Sequence, residues 1–84
     1  MSVCRVTPDP PDDDALRGER QRIGRSIRNA RMDADLTQEQ VFLAIPLNRA
    51  YYQQIESGVA NPSLNTLLRI ARVLGVRIAD LLHG

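Results

Sequence analysis

The sequence predicts an all-α chain, and three observations predict it. Apolar residues recur at helical spacing in every segment beyond about residue 19; each such segment is bounded by capping residues or breakers; and no stretch alternates as a half-buried strand would. From Glu19 onward Ile23, Ile27 and Ala30 lie at i, i+4 and i+7, with arginines at 20, 22, 25, 28 and 31 around them, so a first helix runs to about Asp33. Thr37 offers an N-cap hydroxyl and Gln40 stands three residues on, a capping box that opens a second helix with Val41 and Ile45 inward. Pro46 stops that helix, because proline has no N–H to donate and its ring clashes with the preceding turn. Asn48 caps a third helix that buries Tyr52 and Ile55 and leaves Arg49, Ala50, Gln53 and Gln54 outward, and Gly58 ends it. After the turn at residues 59–62, Ser63 caps a fourth helix with Leu64, Leu67, Leu68 and Ala71 as its apolar stripe and Gly75 as its stop. A last helical turn, Ile78 to Leu82, closes the core.

Residues 1–18 read differently. The run Thr7-Pro8-Asp9-Pro10-Pro11-Asp12-Asp13-Asp14 has no apolar periodicity and too little apolar surface to offset the entropy of ordering, so it is read as a flexible acidic arm before a folded unit at residues 19–84. The arm is either an inert tail or an acidic segment that competes with DNA for a basic face. Charge divides along the same boundary. Four aspartates against Arg5 and Arg17 leave the arm negative, while nine arginines against six acids leave the rest mildly basic, compatible with a phosphate-facing surface.

Eighty-four residues make one small domain that buries only about 60% of its unfolded surface, too little for a large active-site cleft. Cys4 is the only cysteine, so no intrachain disulfide forms and a reducing, cytoplasmic compartment fits best. The apolar run from Val41 to Leu47 is broken by Pro46 and is too short to span a membrane, and no signal-peptide pattern is visible. His83 is the only histidine, which leaves no partner for a catalytic relay or a metal site. With no paired carboxylates in a plausible cleft and no Gly-rich phosphate loop, the sequence predicts no enzyme, no cofactor and no metal. What remains is the unit at 37–58: two short helices joined by a tight turn, the second polar outside, a helix-turn-helix suited to presenting a helix to DNA.

Five segments at fixed spacing sharpen this: Leu36-Thr37-Gln38-Glu39, Asn48-Arg49-Ala50-Tyr51 with Ile55-Glu56-Ser57-Gly58, Asn61-Pro62-Ser63-Leu64, and Leu74-Gly75-Val76. Together they resemble the Cro/lambda-repressor type of helix-turn-helix regulators, the XRE family, over roughly Ile23 to Leu82. The resemblance implies a compact five-helix lambda-repressor-like DNA-binding domain. It implies that Arg49, Ala50 and Gln54 touch base edges, and that Thr37, Gln38, Asn48, Tyr51, Gln53 and Asn61 lie along the DNA backbone. It also implies a buried salt bridge between Arg31 and Glu56. Physical chemistry agrees: a guanidinium grips guanine O6 and N7 together, a glutamine amide grips adenine N6 and N7, and a glutamate near a helix C-terminus opposes the macrodipole and needs a cationic partner. Arg25 and Arg28 are candidates for peripheral phosphate contact, the other arginines of the first helix forming a solvated face.

The chain departs from the family pattern in three places. Phe42 stands where alanine is usual and must fill a widened gap between helices or turn outward. Pro46 replaces a frequent glycine, so the turn takes another conformation, and Asp35 replaces another. Two functions follow. One is a cytoplasmic, sequence-specific transcriptional regulator, a repressor or autoregulator, that binds double-stranded DNA at a pseudo-palindrome as a homodimer through Val76, Ile78, Leu81 and Leu82. The other is a protein-interaction module, an antitoxin or adaptor, that docks a protein partner on an apolar patch of Phe42, Pro46, Leu47 and Tyr51.

Overall fold

The computed structural model describes residues 12–83. Five helices follow in order: α1 (Asp12–Asp33), α2 (Gln38–Ala44), α3 (Arg49–Ser57), α4 (Leu64–Leu74) and α5 (Ile78–His83), with no strand among the described residues. α1 and α2 both pack on α3, and α5 closes against α1 and α4.

The helix boundaries follow the local chemistry. α1 stops where Asp35 takes a left-handed φ of 62° and the Leu36 N–H reaches back to the Arg31 carbonyl at 3.0 Å. At the start of α2 the Gln40 N–H donates to Thr37 Oγ1 at 3.1 Å and the Thr37 N–H donates to Gln40 Oε1 at 2.8 Å, a reciprocal capping box. Asn48 Oδ1 accepts from the Tyr51 N–H at 2.7 Å, and Ser63 Oγ from the Thr66 N–H at 3.2 Å. Gly58 and Gly75 end α3 and α4 with φ of 84° and 74°. At Pro46 the turn does take another conformation. The Leu47 N–H still closes onto the Phe42 carbonyl at 3.0 Å, but no left-handed residue is needed, because Ile45 ends α2 at φ −119° and ψ 34°.

The core is Ile27, Val41, Phe42, Ile45, Tyr52, Ile55, Leu67, Ile70, Ala71, Leu74 and Leu81, each large member contributing about 1.5–3 kcal/mol by burial. One contact sets how α1 meets α3. A Cβ on Gly24 would lie 2.4 Å from the Glu56 carbonyl oxygen and 2.7 Å from that of Ile55. The two backbones therefore touch at that crossing, and only glycine fits it.

Two expectations are corrected. α1 begins at Asp12 rather than Glu19, so residues 12–18 of the presumed arm are helical; consecutive aspartates suit a helix N-terminus, where negative charge is favourable. The rest of the arm, residues 1–11, lies outside the described residues. On α4, Leu64 and Leu68 are exposed, and the buried stripe is Leu67, Ile70, Ala71 and Leu74. Both sets have helical spacing; contact with α1, α2 and α5 selects the second.

Candidate nucleic-acid interface

α3 separates its chemistry by face. Tyr52 and Ile55 are buried, whereas Arg49, Ala50, Gln53 and Gln54 are exposed, with Ala50 and Gln54 one turn apart. Asn61 is exposed in the loop that follows. Tyr51 is half-buried against the core and its hydroxyl makes no hydrogen bond among the described residues. Thr37 and Asn48 spend their side-chain oxygens on their own caps. They complete the N-termini of α2 and α3, where unpaired backbone N–H groups collect and favour an anion.

Behind this face lies a polar network centred on Glu56. Arg31 Nε donates to Glu56 Oε2 at 2.7 Å, so the expected salt bridge is present, and both side chains are largely buried. Arg31 Nη1 also donates to the Leu36 carbonyl at 2.8 Å. The Tyr52 hydroxyl donates to Glu56 Oε2 at 2.6 Å and Gln38 Nε2 to Glu56 Oε1 at 3.0 Å. Burial pushes the Glu56 carboxyl up, but hydrogen bonds from Arg31, Tyr52 and Gln38 outweigh it and hold the group below its ordinary value. The hydrogen bond to Glu56 raises Arg31, and burial, then the bond to Glu56, raises Tyr52. Gln38 is thus tied into the network, its Oε1 accepting from Gln53 Nε2 at 3.4 Å.

Phe42 resolves the choice left by the sequence: it points inward, 7% exposed, with its ring centroid 6.4 Å from that of Tyr52. Over its ring lies Arg49, whose Cζ stands 5.7 Å from the ring centroid. The expected apolar docking patch therefore lacks Phe42, its largest member. Phe42 is core, Leu47 and Tyr51 pack against it, and Pro46 alone of the four is exposed.

The arrangement is a helix N-terminus beside an outward polar face, backed by a rigid network. The helix-turn-helix family model matches residues 27–81. The chain belongs to the XRE-type helix-turn-helix family. This family member is 38% identical over 61 residues to the control protein C.MunI of Mycoplasma sp, across 71% of this chain and 82% of that protein. It is 38% identical over 55 residues to the cryptic phage CTXphi transcriptional repressor RstR of Vibrio cholerae, across 66% of this chain and 50% of that one. Among solved structures it matches the restriction-modification controller protein C.AhdI from Aeromonas hydrophila with a TM-score of 0.72 and 28% identity, across 76% of this chain and 97% of that one. It is a DNA-binding regulator of transcription.

Not every predicted residue of this helix-turn-helix protein is free for an outside partner. Leu81, expected at a dimer face, is 1% exposed and belongs to the core, because α5 turns it onto α1 and α4. Val76 and Ile78 are half-buried against the same core, and Leu82 is 40% exposed while its carbonyl accepts from Arg22 Nη1. Arg28 lies beside Gln38, Gln53 and Ser57 in one cleft, and Arg20 beside Asn61 in another. Helical periodicity places both arginines on α1 but carries no signal for these neighbours, since the Gly24 crossing decides them. No described helix is long and apolar enough to cross a membrane.

Proposed function

We propose that the chain is a cytoplasmic repressor, acting also on its own promoter, that binds a pseudo-palindromic operator as a homodimer with α3 in the major groove. The observation that carries the proposal is the division of α3. Its inner face is fixed by Tyr52, Ile55 and Glu56, while Arg49, Ala50, Gln53 and Gln54 face out beside the capped N-terminus of α2. Arg49 pairs with guanine, Gln54 with adenine, and Ala50 meets a thymine methyl. Gln38 and Asn61, with Thr37, Asn48, Tyr51, Gln53 and the helix N-termini, hold the backbone and set register. One short helix offers few contacts, so a two-fold dimer supplies the second half-site about 34–36 Å away. Leu82, with the accessible edges of Val76 and Ile78, supplies its face. A relative named as a phage transcriptional repressor supports the repressive sense.

The test is binding to genomic fragments across a salt series. Specific binding with a steep negative salt slope is expected, and it is lost in a folded Arg49→Ala, Gln54→Ala variant that keeps weak non-specific affinity. Absence of any preferred fragment at low salt would overturn the proposal, and a species of one chain on DNA in sedimentation would remove the dimer from it.

A further inference from the structure

We infer that Phe42 is a positioning residue for DNA reading: its ring holds the Arg49 guanidinium in place, so that each half-site is read for a guanine at the base pair facing the first turn of α3. The inference rests on the base-reading role proposed for Arg49. Three observations carry it. Arg49 Cζ lies 5.7 Å from the Phe42 centroid, within the range of a cation–π contact. Phe42 itself cannot swing with its guest, since it is buried against Tyr52 with its ring tilted 48° to that of the tyrosine. Arg49 is engaged by nothing else: among the described residues it makes no ion pair and donates no side-chain hydrogen bond. Glu39, the exposed carboxylate lining the same open cleft of about 460 Å³, stands outside ion-pair distance. The contact therefore acts on the charge while leaving the guanidinium donors unused.

The physical consequence is preorganisation. A free arginine on a helix surface samples many rotamers and loses that freedom when it pairs with a base. An arginine already drawn to a fixed ring loses less, and its planar fork then meets guanine O6 and N7 in one orientation. The outcome is a sharper preference for guanine, an effect a solvated arginine would show more weakly.

Phe42 is the only phenylalanine of the chain, so fluorinated phenylalanines supplied biosynthetically alter this ring alone and weaken its negative face stepwise with little change of shape. The readout is the ratio of affinities for operators carrying G·C or A·T at the position where Arg49→Ala erases preference. In the unmodified protein that ratio is about tenfold or more. It falls about threefold or more across the fluorinated series and in Phe42→Leu, while the salt slope set by phosphate contacts stays constant. Nuclear magnetic resonance of the Arg49 Nε–H reports the contact itself, as a ring-current shift lost in Phe42→Leu. A constant ratio in folded fluorinated protein, with Arg49→Ala still erasing the preference, would overturn the inference and leave the base-reading role intact. If Arg49→Ala changes preference at no position, the base-reading role falls and the inference falls with it.

Discussion

The two faces of α3 are held by opposite means. On the inner face, the Tyr52 hydroxyl and both Glu56 carboxylate oxygens have partners. Glu56 accepts from Arg31, Tyr52 and Gln38, and the backbone behind it touches Gly24 with no room for a methyl group. On the outer face, Arg49 rests on a ring and Gln54 projects from the surface, with no side-chain hydrogen bond from either among the described residues. Arg31 and Arg49 show the contrast in a single residue type: the first is spent on the fold, the second is exposed with no hydrogen bond from its side chain among the described residues. Burial explains the division, since a charge removed from water must be fully paired, whereas an exposed one costs little to leave free.

Substitutions that break the inner face should therefore act on stability, and those on the outer face on binding. Glu56→Ala has the largest expected effect, about 3–5 kcal/mol, because it leaves the Arg31 guanidinium buried without its counter-ion; urea denaturation measures it. The same carboxyl sets an acid limit. Its folded pKa is depressed below the ordinary 4.5, so its contribution is complete above that pH and is lost as pH falls through the folded value. Melting temperature followed from neutral to acid pH should drop there, and the Glu56→Gln variant should show a shallower drop. Gly24→Ala comes next, at about 1–3 kcal/mol, since its methyl group meets the Glu56 carbonyl and forces α1 from α3; thermal melting measures it. Asn48→Ala removes the cap at 2.7 Å and costs about 1 kcal/mol. At the small end, Gln54→Ala should shift stability by no more than about 0.5 kcal/mol yet weaken operator binding by about 1–3 kcal/mol. A Gln54→Ala protein that melted early and bound DNA unchanged would reverse the assignment of the two faces.

Much of this was legible before the structure because caps and stops are local. Thr37 with Gln40, Asn48, Ser63, Gly58 and Gly75 act within one turn of themselves, and each does so where the sequence places it. The salt bridge from Arg31 to Glu56 was legible only through the family resemblance, as spacing carries no signal across 25 residues. The α4 stripe is ambiguous in the sequence because Leu64, Leu67, Leu68 and Ala71 have the same periodicity as Leu67, Ile70, Ala71 and Leu74. Leu81 belongs to the core, as the sequence also indicates, and only its proposed share in a dimer face falls away, because α5 is too short for its own pattern to tell inside from outside.

By itself the sequence determined the five helices, the caps and stops from the end of α1 onward and the exposed polar character of the third, since these depend on backbone propensity, capping and short-range periodicity. The tertiary structure alone decided which apolar stripe is core, that Gly24 is a contact between backbones, and that Phe42 turns inward beneath Arg49. Those are properties of helix crossings. They depend on the distance and angle between elements far apart in the chain, which no local pattern encodes.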